Sequence, residues 1–81
     1  MKVNLKLSRV GMNMEEATVS VWRKQPGDSF VKGEILYEIE TEKVTMEVEA
    51  PCNGTLLSIA VPAGTETTVG SVVCSIEQQS S

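Results

Sequence analysis

The stretch "YEIETEKVTMEVEA", residues 37–50, is a period-two pattern that changes phase. Up to Lys43 the apolar residues stand on odd positions (Ile35, Tyr37, Ile39), and after it on even ones (Val44, Met46, Val48, Ala50). The acids do the reverse: Glu38, Glu40 and Glu42, then Glu47 and Glu49. Such alternation reads as half-buried strand. In an antiparallel hairpin, paired residues have position numbers of constant sum and share a face. Odd apolar positions oppose even ones only when that sum is odd. A sum of 85 sets Ile39 against Met46, Tyr37 against Val48 and Ile35 against Ala50, leaving Glu42–Lys43 as the turn. A one-residue slip would put Val44, Met46 and Val48 on the glutamate face, so the register is strongly specified. Glu-Lys lacks the Asn-Gly chemistry of the mirror-image turns, and type I geometry is expected. Lys43 is then expected to stand exposed at a hairpin tip.

Short alternating runs make up the rest of the chain. They are "VNLKL" (3–7), "TVSVW" (18–22), "ILYEIE" (35–40), "VTMEVEA" (44–50), "TLLSIAV" (55–61) and "VVCSIE" (72–77). Turn signals part them: "QPGD" at 25–28, "KG" at 32–33, "PCNG" at 51–54, "PAG" at 62–64 and Gly70. This spacing predicts an all-β sandwich or barrel. "MNMEEA" (12–17) has the composition of a helical turn but is expected as loop, within a long 8–17 connection. The domain is expected over 1–77, with "QQSS" (78–81) as the start of a linker or tail.

The chain also repeats itself. A shift of 37 positions lays 17–40 over 54–77 without a gap. Thr18 meets Thr55, Gly27 meets Gly64, Gly33 meets Gly70, Ile39 meets Ile76 and Glu40 meets Glu77. Two half-units paired about a pseudo-twofold axis would bury each other's apolar faces. The axis would place the 40–45 connection at one end of the domain and both termini at the other.

Composition narrows the function classes. The 81 residues suit one small domain, and a chain this short needs a well-organised core. Net charge is −4 with no basic stripe, and Trp22, Phe30 and Tyr37 are the only aromatics. Nucleic acid and anionic membrane are therefore poor partners. No run of about 18 apolar residues exists to span a membrane, and "MKVNLKL" is too short and too regular for a signal peptide. There is no histidine, which removes the commonest general base and metal ligand. Cys52 and Cys74 stand far apart, in no C-x-x-C pairing, and read as small buried hydrophobes in a reducing compartment. Trp22, Ile39 and Ile76 read as core, and Asp28 and the glycines as turn formers. Met12 and Met14 suit either core or a partner-contact loop.

An exposed lysine between glutamates is ordinarily a solvated charge. A catalytic amine needs desolvation or a neighbouring cation, and Glu40 and Glu42 instead favour the charged ammonium. The functional alternative is that another enzyme finds Lys43 and modifies it. A rigid tip suits that, because it presents one lysine free of tertiary contacts.

At this point "IETEKVTMEVEAPCNGTL" resembles the modified hairpin of lipoyl domains, the carrier domains of 2-oxo acid dehydrogenase complexes. Their pattern is a strand, Thr-Asp-Lys-Ala, a second strand and a turn ending in glycine. Thr41, Glu42, Lys43 and Val44 occupy the four positions, and Gly54 the glycine. "LSRVGMNMEEATVSVW" (7–22) is similar to the family's early segment through Gly11, Met14, Glu16, Thr18 and Trp22, and "GDSFVKGEIL" (27–36) to the next. The resemblance covers residues 3 to 77. Departures are Ser8 for the usual proline, Ala17 for glycine, Glu42 for aspartate and Val44 for alanine.

The resemblance implies a flattened β-barrel, a barrel-sandwich hybrid of two four-stranded antiparallel sheets with pseudo-twofold symmetry. It implies lipoate in amide linkage on Lys43, in a non-catalytic carrier that is monomeric when isolated. The implied partners are a thiamine-diphosphate-dependent decarboxylase, a dihydrolipoamide acyltransferase core, a dihydrolipoamide dehydrogenase, and a lipoate-protein ligase or lipoyl transferase. The compartment is the cytoplasm or the mitochondrial matrix. Recognition is expected from Thr41, Glu42, Val44 and Glu40 at the tip, and from Arg9, Met12, Asn13 and Glu15 in the loop that the family places beside it. Rival readings are a biotinyl carrier, whose lysine lies between two methionines, and a lipoyl-like module that is never modified.

Overall fold

The computed structural model describes residues 1–7, 15–42 and 44–79, and every regular element among them is a strand. In chain order these are β1 (Lys2–Lys6), β2 (Glu16–Trp22), β3 (Ser29–Phe30), β4 (Ile35–Glu40), β5 (Thr45–Glu49), β6 (Gly54–Ile59), β7 (Thr65–Thr68) and β8 (Val72–Gln78). They form two antiparallel four-stranded sheets, ordered β1-β8-β6-β3 and β5-β4-β2-β7, packed as a flattened barrel-sandwich. The all-β expectation and the two-sheet architecture both hold.

Several strand limits differ from the sequence reading. Glu16 and Ala17 belong to β2 rather than to the preceding loop, and Ala17 is buried against the core. Residues 12–14 of "MNMEEA" lie outside the described residues. β8 runs one residue further than read, to Gln78, and the Gln79 amide donates to the Asn53 carbonyl at 3.0 Å. β3 and β7 appear where only turn signals were read.

The pseudo-twofold expected from the repeat is visible in the pairing. Val19 opposite Ile39 and Thr18 opposite Glu40, in β2–β4, recur as Leu56 opposite Ile76 and Thr55 opposite Glu77, in β6–β8. Each ladder carries a bulge at the equivalent place, between Val19 and Val21 and between Leu56 and Ser58. The loops obey the same operation. The Gly27 amide donates to Leu56 O at 2.8 Å and the Gly64 amide to Val19 O at 2.6 Å. Both glycines sit at positive φ, +99° and +87°, where a side chain would be strained. β3 and β7 are equivalent as well, and each crosses to pair with the other half's long strand. The two half-units thus share both sheets.

Between the sheets Val19, Leu36, Ile39, Leu56, Val73, Cys74 and Ile76 are wholly buried, and no buried polar or charged side chain occurs among the described residues. Trp22 packs on Tyr37 with ring centroids 4.6 Å apart and donates from Nε1 to the Val61 carbonyl at 2.8 Å. The core roles expected for Trp22, Ile39 and Ile76 hold.

The β4–β5 register carries one correction. Ile39 opposes Met46 and Tyr37 opposes Val48, as the sum of 85 requires, but Ile35 opposes Glu49 rather than Ala50. A bulge between Ile35 and Tyr37 admits an extra residue, so adjacent Leu36 and Tyr37 are both buried and Ile35 is left half-exposed. Ala50 leaves the ladder and is held from the side, donating to Glu34 O at 2.8 Å and accepting from the Gly33 amide at 3.0 Å.

Candidate functional site at the hairpin tip

β4 and β5 run together to the tip, with Glu40 opposite Thr45 as the last strand pair. Beyond it the Thr41 amide donates to the Val44 carbonyl at 2.8 Å. The Thr41 hydroxyl makes two more contacts with the same residue: Oγ1 donates to Val44 O at 3.2 Å and accepts from the Val44 amide at 3.3 Å. Closure at Thr41 and Val44 leaves two residues, Glu42 and Lys43, to turn the chain. Lys43 itself lies outside the described residues, and so does the type I geometry expected of its turn.

The described residues around that turn are open to solvent. Glu40 and Glu42 are exposed, Val44 is 51% exposed, and Thr41 is half-buried by its bonds across the turn. Glu15 is exposed too, and its carbonyl accepts from the Val69 amide at 2.9 Å. Of the expected recognition residues, Arg9, Met12 and Asn13 lie outside the described residues. The flanks of their segment are defined. Thr18 neighbours both Glu40 and Glu66, so β2 begins at the Lys43 end of the domain. Glu16 opposes Thr68, and in the turn after β7 the Gly70 amide donates to Leu7 O at 2.9 Å. Leu7 and Glu15 therefore both stand at that end.

The termini occupy the other end, as the repeat predicted. The α-amino group of Met1 reaches Gln78 O at 3.0 Å and the Glu77 carboxylate at 3.2 Å, and the Gln78 amide donates to Met1 O at 2.8 Å. Gln78 and Met1 correspond to Thr41 and Val44 under the pseudo-twofold. The backbone bond that closes the lysine turn has its twin between the chain ends.

Groups with shifted titration lie elsewhere. Burial pushes the Cys74 thiol up to about 11, and burial, followed by the charge of nearby Cys74, pushes the Tyr37 phenol up to about 12. A hydrogen bond from Lys24, with one from the Val31 amide, holds the Glu34 carboxyl below its ordinary value. A shallow depression lined by Arg23, Lys24, Glu34, Ile35 and Glu47 has both cations engaged: Lys24 with Glu34 at 2.7 Å and Arg23 Nε with Glu38 at 2.6 Å. Cys52 is half-buried in the turn after β5, and no group of three His, Cys, Asp or Glu among the described residues could hold a metal ion. Sequence reasoning named Thr41 as a motif position and a recognition residue. Its side-chain closure of the turn was missed, although a threonine entering a tight turn is itself a signal for such bonding.

Comparison with known proteins places the tip in context. The family model described as "Biotin-requiring enzyme" matches residues 3–76. The dihydrolipoyllysine-residue succinyltransferase component of the 2-oxoglutarate dehydrogenase complex of Rickettsia conorii is 43% identical over 81 residues, which are 100% of this chain and 20% of that protein. The dihydrolipoyllysine-residue acetyltransferase component of the acetoin cleaving system of Bacillus subtilis is 42% identical over 76 residues, covering 94% of this chain and 19% of that protein. The chain thus spans about a fifth of the length of these curated relatives. The solution structure of the lipoyl domain of the 2-oxoglutarate dehydrogenase complex from Azotobacter vinelandii superposes with a TM-score of 0.77 at 27% identity, covering 96% of this chain and 99% of that one. The chain belongs to the biotin- and lipoyl-attachment family, whose members hold a covalent cofactor on a lysine, and within it to the lipoyl carrier domains.

Proposed function

We propose that Lys43 carries lipoate in amide linkage and that the domain serves as the swinging arm of a 2-oxo acid or acetoin dehydrogenase complex. The observation that carries this reading is the closure at Thr41 and Val44, which leaves Glu42–Lys43 alone between two paired strands. The surroundings fit a long acyl arm. Exposed Glu40, Glu42 and Val44 leave the flanks of the tip open to solvent. Attachment is a condensation: the Lys43 ammonium loses one proton to become the nucleophilic amine and a second as Nζ forms an amide with an activated lipoyl carboxyl, whose leaving group departs with the electron pair. Once attached, the dithiolane supplies a disulfide that accepts an acyl group and two electrons together. This chain's contribution is then presentation and tethering, since a tethered arm meets each partner site at a high effective concentration.

The proposed partners are a thiamine-diphosphate-dependent decarboxylase, an acyltransferase core, a dihydrolipoamide dehydrogenase and a lipoate ligase or lipoyl transferase. Recognition is assigned to Glu40, Thr41, Glu42, Val44 and Glu15 among the described residues, and to Arg9, Met12 and Asn13 in the adjoining segment. Two free thiols suit a reducing compartment such as the bacterial cytoplasm or the mitochondrial matrix. Intact mass after co-expression with a lipoate-protein ligase and lipoate tests the reading. One lipoyl group is expected on the wild-type chain and none on Lys43→Gln, with an unchanged melting temperature because a residue as solvated as the sequence predicts for Lys43 contributes little to stability. Lipoate on Lys32 or another lysine of that variant, or a biotinyl adduct on the wild type, overturns it.

A further inference from the structure

The bonds at Thr41 are not those of an ordinary strand end. Two-residue hairpin turns favour mirror-image geometries with positive φ, which residues other than glycine, asparagine and aspartate adopt poorly. Glu42 and Lys43 bring no glycine to relieve that. Packing does not hold the tip either: β5 is an edge strand, Thr45 is exposed and Val44 is 51% exposed. What holds it is three bonds between Thr41 and Val44, and two of the three pass through the hydroxyl.

The pseudo-twofold supplies an internal comparison. At the opposite end Gln78 and Met1 repeat the backbone bond at 2.8 Å, so that bond belongs to the scaffold. The hydroxyl bonds belong to the lysine turn. From this geometry we infer that Thr41 is a positioning residue for the modification of Lys43. Its Oγ1 pins the Val44 amide and carbonyl, and so holds the turn in the one shape that a modifying enzyme docks. The inference rests on the lipoyl-carrier reading given above.

A chain that must be ordered on docking pays the same entropy in the ground and transition states, which raises KM and leaves kcat in place. Thr41→Val removes the hydroxyl at nearly constant shape, and Thr41→Ser keeps it. Lipoylation of the 81-residue chain by a lipoate-protein ligase, followed by intact mass at varied domain concentration, separates the two parameters. Thr41→Val is expected to raise KM for the domain about three- to tenfold, the ratio that one net surface hydrogen bond sustains. Its kcat should stay near wild type, its melting temperature should fall by about 3–10 °C as the same lost bonding is read thermally, amide exchange should quicken at Val44, and Thr41→Ser should behave as wild type.

Equal KM for wild type and Thr41→Val overturns the inference while the carrier reading stands. Equally impaired valine and serine variants also overturn it, since the hydroxyl would then not be the determinant. A wild-type chain that takes no lipoate overturns the carrier reading itself.

Discussion

Replacing Gly54 by alanine tests how tightly the two half-units are fitted together. Gly54 opens β6, with Gln78 on one side and Phe30 on the other. A Cβ there would stand 2.4 Å from the Glu77 carbonyl oxygen, 3.2 Å from Phe30 Cζ and 3.3 Å from the Glu77 carbonyl carbon. The phenyl ring can move a few tenths of an ångström, but the carbonyl belongs to β8 and moves only with the β6–β8 ladder. Overpacking of this kind costs about 1–3 kcal/mol. Against it stands about 0.4–1 kcal/mol from the reduced freedom of the unfolded chain. The net destabilisation is about 1–2 kcal/mol, and at roughly 4–8 °C per kcal/mol for a domain of this size the melting temperature should fall by about 5–15 °C.

Ala17 is the internal control. It occupies the twofold-equivalent place in β2, already carries a Cβ and is 3% exposed. Ala17→Gly should therefore also destabilise, by about 1–2 kcal/mol, through the lost methyl burial and the added chain freedom. Thermal melts followed by circular dichroism, with urea titration at neutral pH, read both variants. A Gly54→Ala chain that melts at or above wild type would refute the reasoning, because β8 would then be shown to yield freely.

Two further outcomes are expected. Cys74 and Tyr37 are acids whose folded values are raised, from 9.0 to about 11 and from 10.0 to about 12, so the unfolded chain releases their protons first. Their contribution to stability is whole below pH 9 and declines across about pH 9–11 for Cys74 and 10–12 for Tyr37. Melting temperature against pH should show that decline, and Cys74→Ala should delay its onset by about one pH unit; a flat profile to pH 12 would contradict the burial of both groups. Exchanging the tip pair, Glu42→Lys with Lys43→Glu, keeps the net charge but moves the amine across the turn. Little or no lipoylation should follow, and modification at the wild-type rate would mean that turn geometry is irrelevant to the ligase.

The sequence revealed most where one face of a strand had to be buried. β2, β4, β5, β6 and β8 alternate strongly enough to be read directly, and the odd sum of the β4–β5 hairpin follows from arithmetic alone. β7, "TETT", has no apolar face to reveal it: it is an edge strand that pairs with β2 by backbone, and three of its four residues are exposed. β3 is two residues long and gives periodicity nothing to act on. The bulge at Leu36 was hidden for a different reason. A strict period of two assigned Leu36 to solvent, and only the interior shows that two adjacent side chains are wanted there. The repeat offset, by contrast, carried real geometric information, since the paired glycines fixed equivalent turns before any strand was placed. At the site, closure at Thr41 and Val44 was legible as register, while the threonine at the turn's entry signalled side-chain bonding without naming Val44 as its partner.

The twin bonds at the two ends of the domain, Thr41 to Val44 and Gln78 to Met1, have a mechanical consequence. One fold operation produces two equivalent ends, and this chain gives one to the lysine turn and the other to its own entry and exit. Anything joined to either terminus pulls on the end opposite Lys43. Between them stand strands of six or seven residues such as β4 and β8, about 20 Å of hydrogen-bonded sheet that does not bend. The domain body is thus a strut: a pull applied at Met1 or Gln78 passes through that length of paired strand before it reaches the lysine turn.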